Sequence, residues 1–101
     1  MAIRAQSLEE VVKTIRENEK RLKGMGVLSL SIFGSFAEGN FNNKSDVDVL
    51  IKPEYEKPFT LFTLIRVKLF LEELLGRKVD ITTENSLKDE VRKNIKEVKV
   101  F

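Results

Sequence analysis

Apolar residues between Leu8 and Leu22 recur at helical spacing, with Leu8, Val11, Val12, Ile15 and Leu22 on one face. Ser7 precedes them with Glu10 three positions on, the pattern of a capping box, and Gly24 and Gly26 end the helix. The period then changes to two. Over residues 27–33, Leu28, Leu30 and Ile32 alternate with Ser29 and Ser31, which predicts a strand. The small residues on its second face predict a helix covering that side as well. Gly34-Ser35 breaks the alternation, residues 36–39 leave room for one turn of helix, and residues 40–44 are polar and turn-like. A second strand is predicted over 46–51, where Val47, Val49 and Ile51 alternate with Asp46, Asp48 and Leu50. Pro53 and Pro58 bracket an irregular link, and Pro58 suits the first turn of the next helix. That helix, 59–75, carries apolar residues most of the way round, with Arg66, Lys68, Glu72 and Glu73 its charges. It reads as a central core helix, or as one that keeps an apolar patch for a partner or a second copy. Gly76 stops it. Residues 79–82 form a short strand with Asp80 opposite Val79 and Ile81. Ser86 caps a short helix carrying Leu87, Val91 and Ile95, and 97–101 is a last strand. Strands alternating with helices predict an α/β layer fold.

With 101 residues, 42% hydrophobic and 34% charged, the chain reads as one globular domain over 1–101 with a single modest core. A net charge of +2, with Lys and Arg spread along the chain, gives no strong signal for nucleic acid. The chain has no cysteine and no histidine, which excludes disulfide staples, Cys/His zinc sites and His-dependent triads together. Any catalytic chemistry falls to carboxylates, hydroxyls, lysines or Tyr55, and carboxylate sites favour hard cations such as Mg²⁺. No run reaches 18 apolar residues and the start lacks the apolar run of a signal peptide, so no membrane partner and a cytoplasmic location are expected.

Asp46 and Asp48 fall on the same strand face, with Cα atoms about 6.6–6.8 Å apart. Two carboxylates that close repel unless a cation lies between them. If the strand bearing Asp80 neighbours theirs, three carboxylates meet, enough to hold two divalent ions about 3.5–4 Å apart. An isolated Asp-x-Asp is more often a solvated strand face, but strands disfavour Asp, and two on one short strand count against that reading. Upstream, Gly34 permits a tight turn, the amides that follow can donate to an anion, and Ser35 adds a hydroxyl. No Gly-Lys-Ser/Thr follows, so this is not a Walker loop. Tyr55, in the link after the second strand, reads as an exposed linker residue, the alternative being contact with a nucleotide base.

Gly34-Ser35-x-x-x-Gly39, then Ser45-Asp46-x-Asp48, then Asp80 within Gly76-Arg-Lys-Val-Asp-Ile-Thr, resembles the minimal nucleotidyltransferases (MNT) of the DNA polymerase beta-like superfamily. The chain is similar in particular to antitoxin members of HEPN–MNT toxin–antitoxin pairs. The resemblance implies a nucleotidyltransferase fold, a short mixed β-sheet flanked by helices. It implies that Gly34 and Ser35 hold the β- and γ-phosphates of ATP, with Gly39 and Ser45 completing the nucleotide-binding set. Asp46 and Asp48 would ligate Mg²⁺, two ions being expected, and Asp80 would complete the metal site and act as general base. The implied activity is AMP transfer from ATP to a hydroxyl, a tyrosine of a cognate HEPN ribonuclease toxin. A small-molecule acceptor, or a non-catalytic antitoxin that inhibits by occlusion, are the alternatives. One departure stands out: relatives often carry Arg before the second glycine, where this chain has Glu38. A carboxylate there cannot pair with a triphosphate, so Glu38 is expected to face solvent, with Lys44 or Lys52 supplying positive charge.

Overall fold

The protein, seen here as a computed structural model, is described over residues 7–42, 44–54, 56, 58–86, 90 and 93–101. Strands β1 (Val27–Phe33), β2 (Val47–Pro53), β3 (Val79–Thr83) and β4 (Val98–Lys99) form one mixed sheet in the order β3-β2-β1-β4. β1 runs antiparallel to both β2 and β4, while β2 and β3 are parallel. A parallel pair needs a long crossover. Helix α4 (Leu61–Leu75) supplies it. β1 and β2 are joined not by a tight hairpin but by the short helix α3 (Gly34–Glu38) and a polar loop. The end of β1 and the starts of β2 and β3 therefore share one end of the sheet.

Alternation along the strands sorts their side chains. Leu30 and Ile32, then Val47, Val49 and Ile51, then Val79 face one side, where Val11 and Ile15 of α1 (Leu8–Glu17), Leu22 of α2 (Glu19–Gly24) and Val67, Leu71 and Leu75 of α4 close a core. Each fully buried aliphatic side chain contributes about 1.5–3 kcal/mol. The opposite face carries Ser29 and Ser31 of β1, Asp48, Leu50 and Lys52 of β2 and Asp80 and Thr82 of β3.

Several local expectations change. The first helix divides in two at Asn18, whose φ of −110° and ψ of 17° interrupt the helix while its side-chain amide donates to the Thr14 carbonyl. Ser7 does cap the start, its hydroxyl accepting from the Glu10 amide at 3.1 Å. Leu28 leaves the core and is 48% exposed, because the β1–β2 register shifts between Val27 and Ser29. A bulge puts one residue out of the alternation. Ser31 is met by Glu97, to which its hydroxyl donates at 2.9 Å, rather than by a helix among the described residues. The long helix starts at Leu61, not 59, because Thr60 and Thr63 form a reciprocal cap, which leaves Pro58 ahead of the first turn. Glu84–Ser86 is a 3₁₀ turn, and Leu87, Val91 and Tyr55 lie outside the described residues.

α4 is not a fully buried helix. Leu61, Phe62, Ile65 and Leu69 are exposed by 70%, 79%, 44% and 58%, and helical spacing puts them on one face opposite Val67 and Leu71. Among the described residues no helix is long and apolar enough to cross a membrane.

Candidate active site

The acidic residues arrive by register. Asp48 pairs directly with Asp80 across the parallel β2–β3 ladder. Such neighbours stand about 4.8 Å apart with side chains on the same face. Asp46 precedes β2 by one residue and is exposed, as is Asp80, while Asp48 is half-buried. The β2–β3 ladder begins with the Val47 amide donating to the Lys78 carbonyl at 2.9 Å, and the Val79 amide donates to a Glu72 carboxylate oxygen at 3.0 Å, tying the start of β3 to α4.

Across β1 the other neighbour of Asp48 is Phe33, and the next residue, Gly34, turns the chain into α3 with φ of +70°. The space a Cβ would fill at Gly34 is taken by the Asp48 carboxylate, whose Cγ lies 3.0 Å from that position. The Gly34-Ser35 turn is thus pressed directly onto Asp48, the inner member of the acidic pair. Ser35 is partly exposed in the first turn of α3, and no side chain caps that helix. Gly39 closes α3 at φ of +81°, where it and Asn40 both donate to the Ser35 carbonyl. Beyond it the loop folds on itself: the Asn42 amide donates to the Ser45 hydroxyl at 2.8 Å, the Ser45 amide to the Asn42 carbonyl at 3.1 Å and the Lys44 amide to the Asn42 side-chain oxygen at 2.8 Å. Ser45 is therefore a loop-closing residue, its hydroxyl oxygen serving there as an acceptor.

Electrostatically the site is short of cations. Among the described residues no ion pair or hydrogen bond reaches the carboxylates of Asp46, Asp48 or Asp80. The Asp48 carboxyl is held above its ordinary value, first by partial burial and then by the charges of Asp80 and Asp46. A hard divalent cation is what such a donor set fits: three carboxylates without counter-ions among the described residues, Asp48 lying against a glycine turn. No three acidic side chains among the described residues close into a cage. Mg²⁺ does not require one, since it keeps water and takes substrate phosphates as further ligands. Glu38 is exposed at the end of α3, Lys44 is exposed in the loop, and Lys52 lies four residues beyond Asp48 in a groove of about 190 Å³ shared with Ser29, Ser31, Glu84, Glu97 and Lys99.

The nucleotidyltransferase domain family matches residues 8–101. The chain belongs to that family. A Methanocaldococcus jannaschii protein, provisionally named protein adenylyltransferase MJ1217, is 38% identical over 98 residues, covering 95% of this chain and 98% of its own length. Protein adenylyltransferase MntA of Thermococcus cleftensis is 33% identical over 90 residues, covering 88% and 89%. A solved structure provisionally named a minimal nucleotidyltransferase superposes with a TM-score of 0.71 at 36% identity, covering 87% of this chain and 88% of its own. A chain from the complex of the tri-AMPylated Shewanella oneidensis HEPN toxin with MNT antitoxin shares the fold, with a TM-score of 0.54 at 13% identity over 85% of this chain and 71% of its own. This minimal nucleotidyltransferase accordingly has the mixed sheet and flanking helices expected of the family.

One site-linked residue escaped sequence reasoning. Arg77 is buried, and its Nη1 donates to the carbonyls of Asn42 and Ser45, both at 3.1 Å. Its only signal in the chain was its place three residues ahead of Asp80.

Proposed function

We propose that this nucleotidyltransferase moves AMP from ATP to a hydroxyl on a protein, a tyrosine of a HEPN-family ribonuclease, and so acts as its antitoxin. The observation that carries the chemistry is the Asp48–Asp80 pair set against the Gly34-Ser35 turn. In this reading Gly34 and Ser35 hold the β- and γ-phosphates, with Gly39 and Ser45 shaping the loop around them. Asp46, Asp48 and Asp80 hold Mg²⁺, which supplies charge to neutralise the triphosphate and the departing pyrophosphate. Asp80 takes the proton of the acceptor hydroxyl as its oxygen attacks the α-phosphorus. The bond from that phosphorus to the α,β-bridging oxygen breaks, and pyrophosphate leaves. Most of the acceleration comes from alignment and charge rather than covalent work by the protein.

A protein acceptor is supported by the naming of the relatives as protein adenylyltransferases and by the apolar face of α4. A contiguous exposed patch of this kind marks a contact surface. The test is label transfer: native lysate receives the purified protein with Mg²⁺ and α-labelled ATP, beside an Asp46→Asn, Asp48→Asn variant. A labelled protein band seen only with the unmodified chain is expected. Label confined to small molecules would move the acceptor class, and no label, with a partner still inhibited, would leave occlusion as the function.

The role of α4 is tested separately. Phe62→Ser with Leu69→Ser is expected to leave the fold intact, because neither side chain lies in the core. It should raise KM for the protein acceptor about 10-fold or more, as loss of apolar anchors does at an interface. Sedimentation of the unmodified chain alone distinguishes the rival occupant: a dimer abolished by the same variant would assign this face to a second copy.

A further inference from the structure

Arg77 is the one buried charged side chain among the described residues, 6% exposed. A buried guanidinium is costly unless its donors are satisfied, and two of the acceptors here are the carbonyls of Asn42 and Ser45. It also lies over the Phe36 ring, 5.0 Å from the centroid, and Phe36 stacks on Phe41 at 4.1 Å with 5° between the planes. One side chain at the entry to β3 thereby touches α3, which begins with Gly34-Ser35, and both Asn42 and Ser45 of the loop that delivers Asp46. Its own backbone leads in three residues to Asp80.

We propose that Arg77 is the positioning residue of this site. By holding the Asn42 and Ser45 carbonyls against Phe36, it fixes Asp46 and the Gly34-Ser35 turn relative to the Asp48–Asp80 pair. It acts through the loop, since the side chain is buried and its Nη1 is directed at the loop carbonyls. Lysine cannot replace it, because an ammonium has no planar face to lie on the Phe36 ring while the same group donates to both carbonyls. The consequence for catalysis rests on the transfer activity proposed above, whereas the consequence for the loop does not.

The experiment therefore has two arms on Arg77→Lys and Arg77→Ala. In the first, hydrogen exchange is followed on the substrate-free protein. Exchange over residues 39–46 should rise about 10-fold or more while β1 and β2 keep their protection, the mark of local opening. In the second, kcat/KM for ATP should fall about 10–100-fold in both variants, as it does when a group that orients a ligand is lost. Millimolar guanidinium ion should restore part of the activity of Arg77→Ala. Unchanged loop protection in both variants would overturn the proposal, and so would protection lost evenly across loop, β1 and β2, which would make Arg77 a packing residue. If the unmodified protein transfers nothing, the function proposed above fails and the exchange arm still decides the role of Arg77.

Discussion

Asp48→Asn is expected to abolish AMP transfer while making the protein more stable. Asn keeps the size of Asp48 but removes the charge that has no cation beside it among the described residues, so transfer should fall ~10³-fold or more. Stability moves the other way. The folded protein holds the Asp48 proton more tightly than the unfolded chain, because burial and the neighbouring Asp80 and Asp46 disfavour the carboxylate. Folding thus carries no penalty from this group below the unfolded value, loses stability as pH rises toward the folded value, and keeps a constant penalty above it. The variant should therefore melt higher at neutral pH, by about 1–3 °C given how much solvent still reaches the group, and the gain should vanish in acid. Thermal melts from pH 3 to 8 read this directly. Mg²⁺ with a non-hydrolysable ATP analogue should raise the melting temperature of the unmodified chain and not that of the variant. A variant less stable at neutral pH would mean that the carboxylate is held by a favourable contact, which would sink the electrostatic account of the site.

The positions legible in the sequence are those that local pattern alone decides. Alternation is local, so Val47, Val49 and Ile51 declared the core face of β2, and Asp48 necessarily took the other. Asp80 could be placed beside it once β3 was taken as the neighbour of β2, and the parallel register aligns the two residues. The glycine turn was equally legible, since only a break in alternation could reach α3. What failed was set at a distance. Leu28 follows the alternation but is turned out where the β1–β2 register shifts. Asn18 sits in an unbroken helical pattern yet interrupts it. The carbonyls that Arg77 holds lie 35 and 32 residues away, and no spacing rule links them. The apolar girth of α4 was plain, but which residues turned outward depended on where the sheet lay.

Gly34→Ala should be nearly as damaging to transfer as losing a carboxylate, and for a different reason. At φ of +70° an alanine is strained by about 1–2 kcal/mol, and its Cβ would also occupy the space held by the Asp48 carboxylate. Either the turn lifts off β2 or Asp48 swings away from Asp80, and a displacement near 1 Å at a reacting centre costs ~10²-fold in rate. Gly39→Ala isolates the strain from the collision. Gly39 is equally left-handed at φ of +81°, but an added Cβ there meets nothing within 4 Å. Both variants should melt several degrees lower, about 4–8 °C per kcal/mol for a domain of this size. Gly34→Ala should then lose far more activity than Gly39→Ala. Transfer assays and melts on the pair decide the matter. Equal losses of activity would mean that Gly39 meets the nucleotide itself, as the family resemblance implies, rather than merely turning the chain. Retained activity in Gly34→Ala would mean that the glycine turn and Asp48 do not need their close approach, which is the contact on which the proposed phosphate site depends.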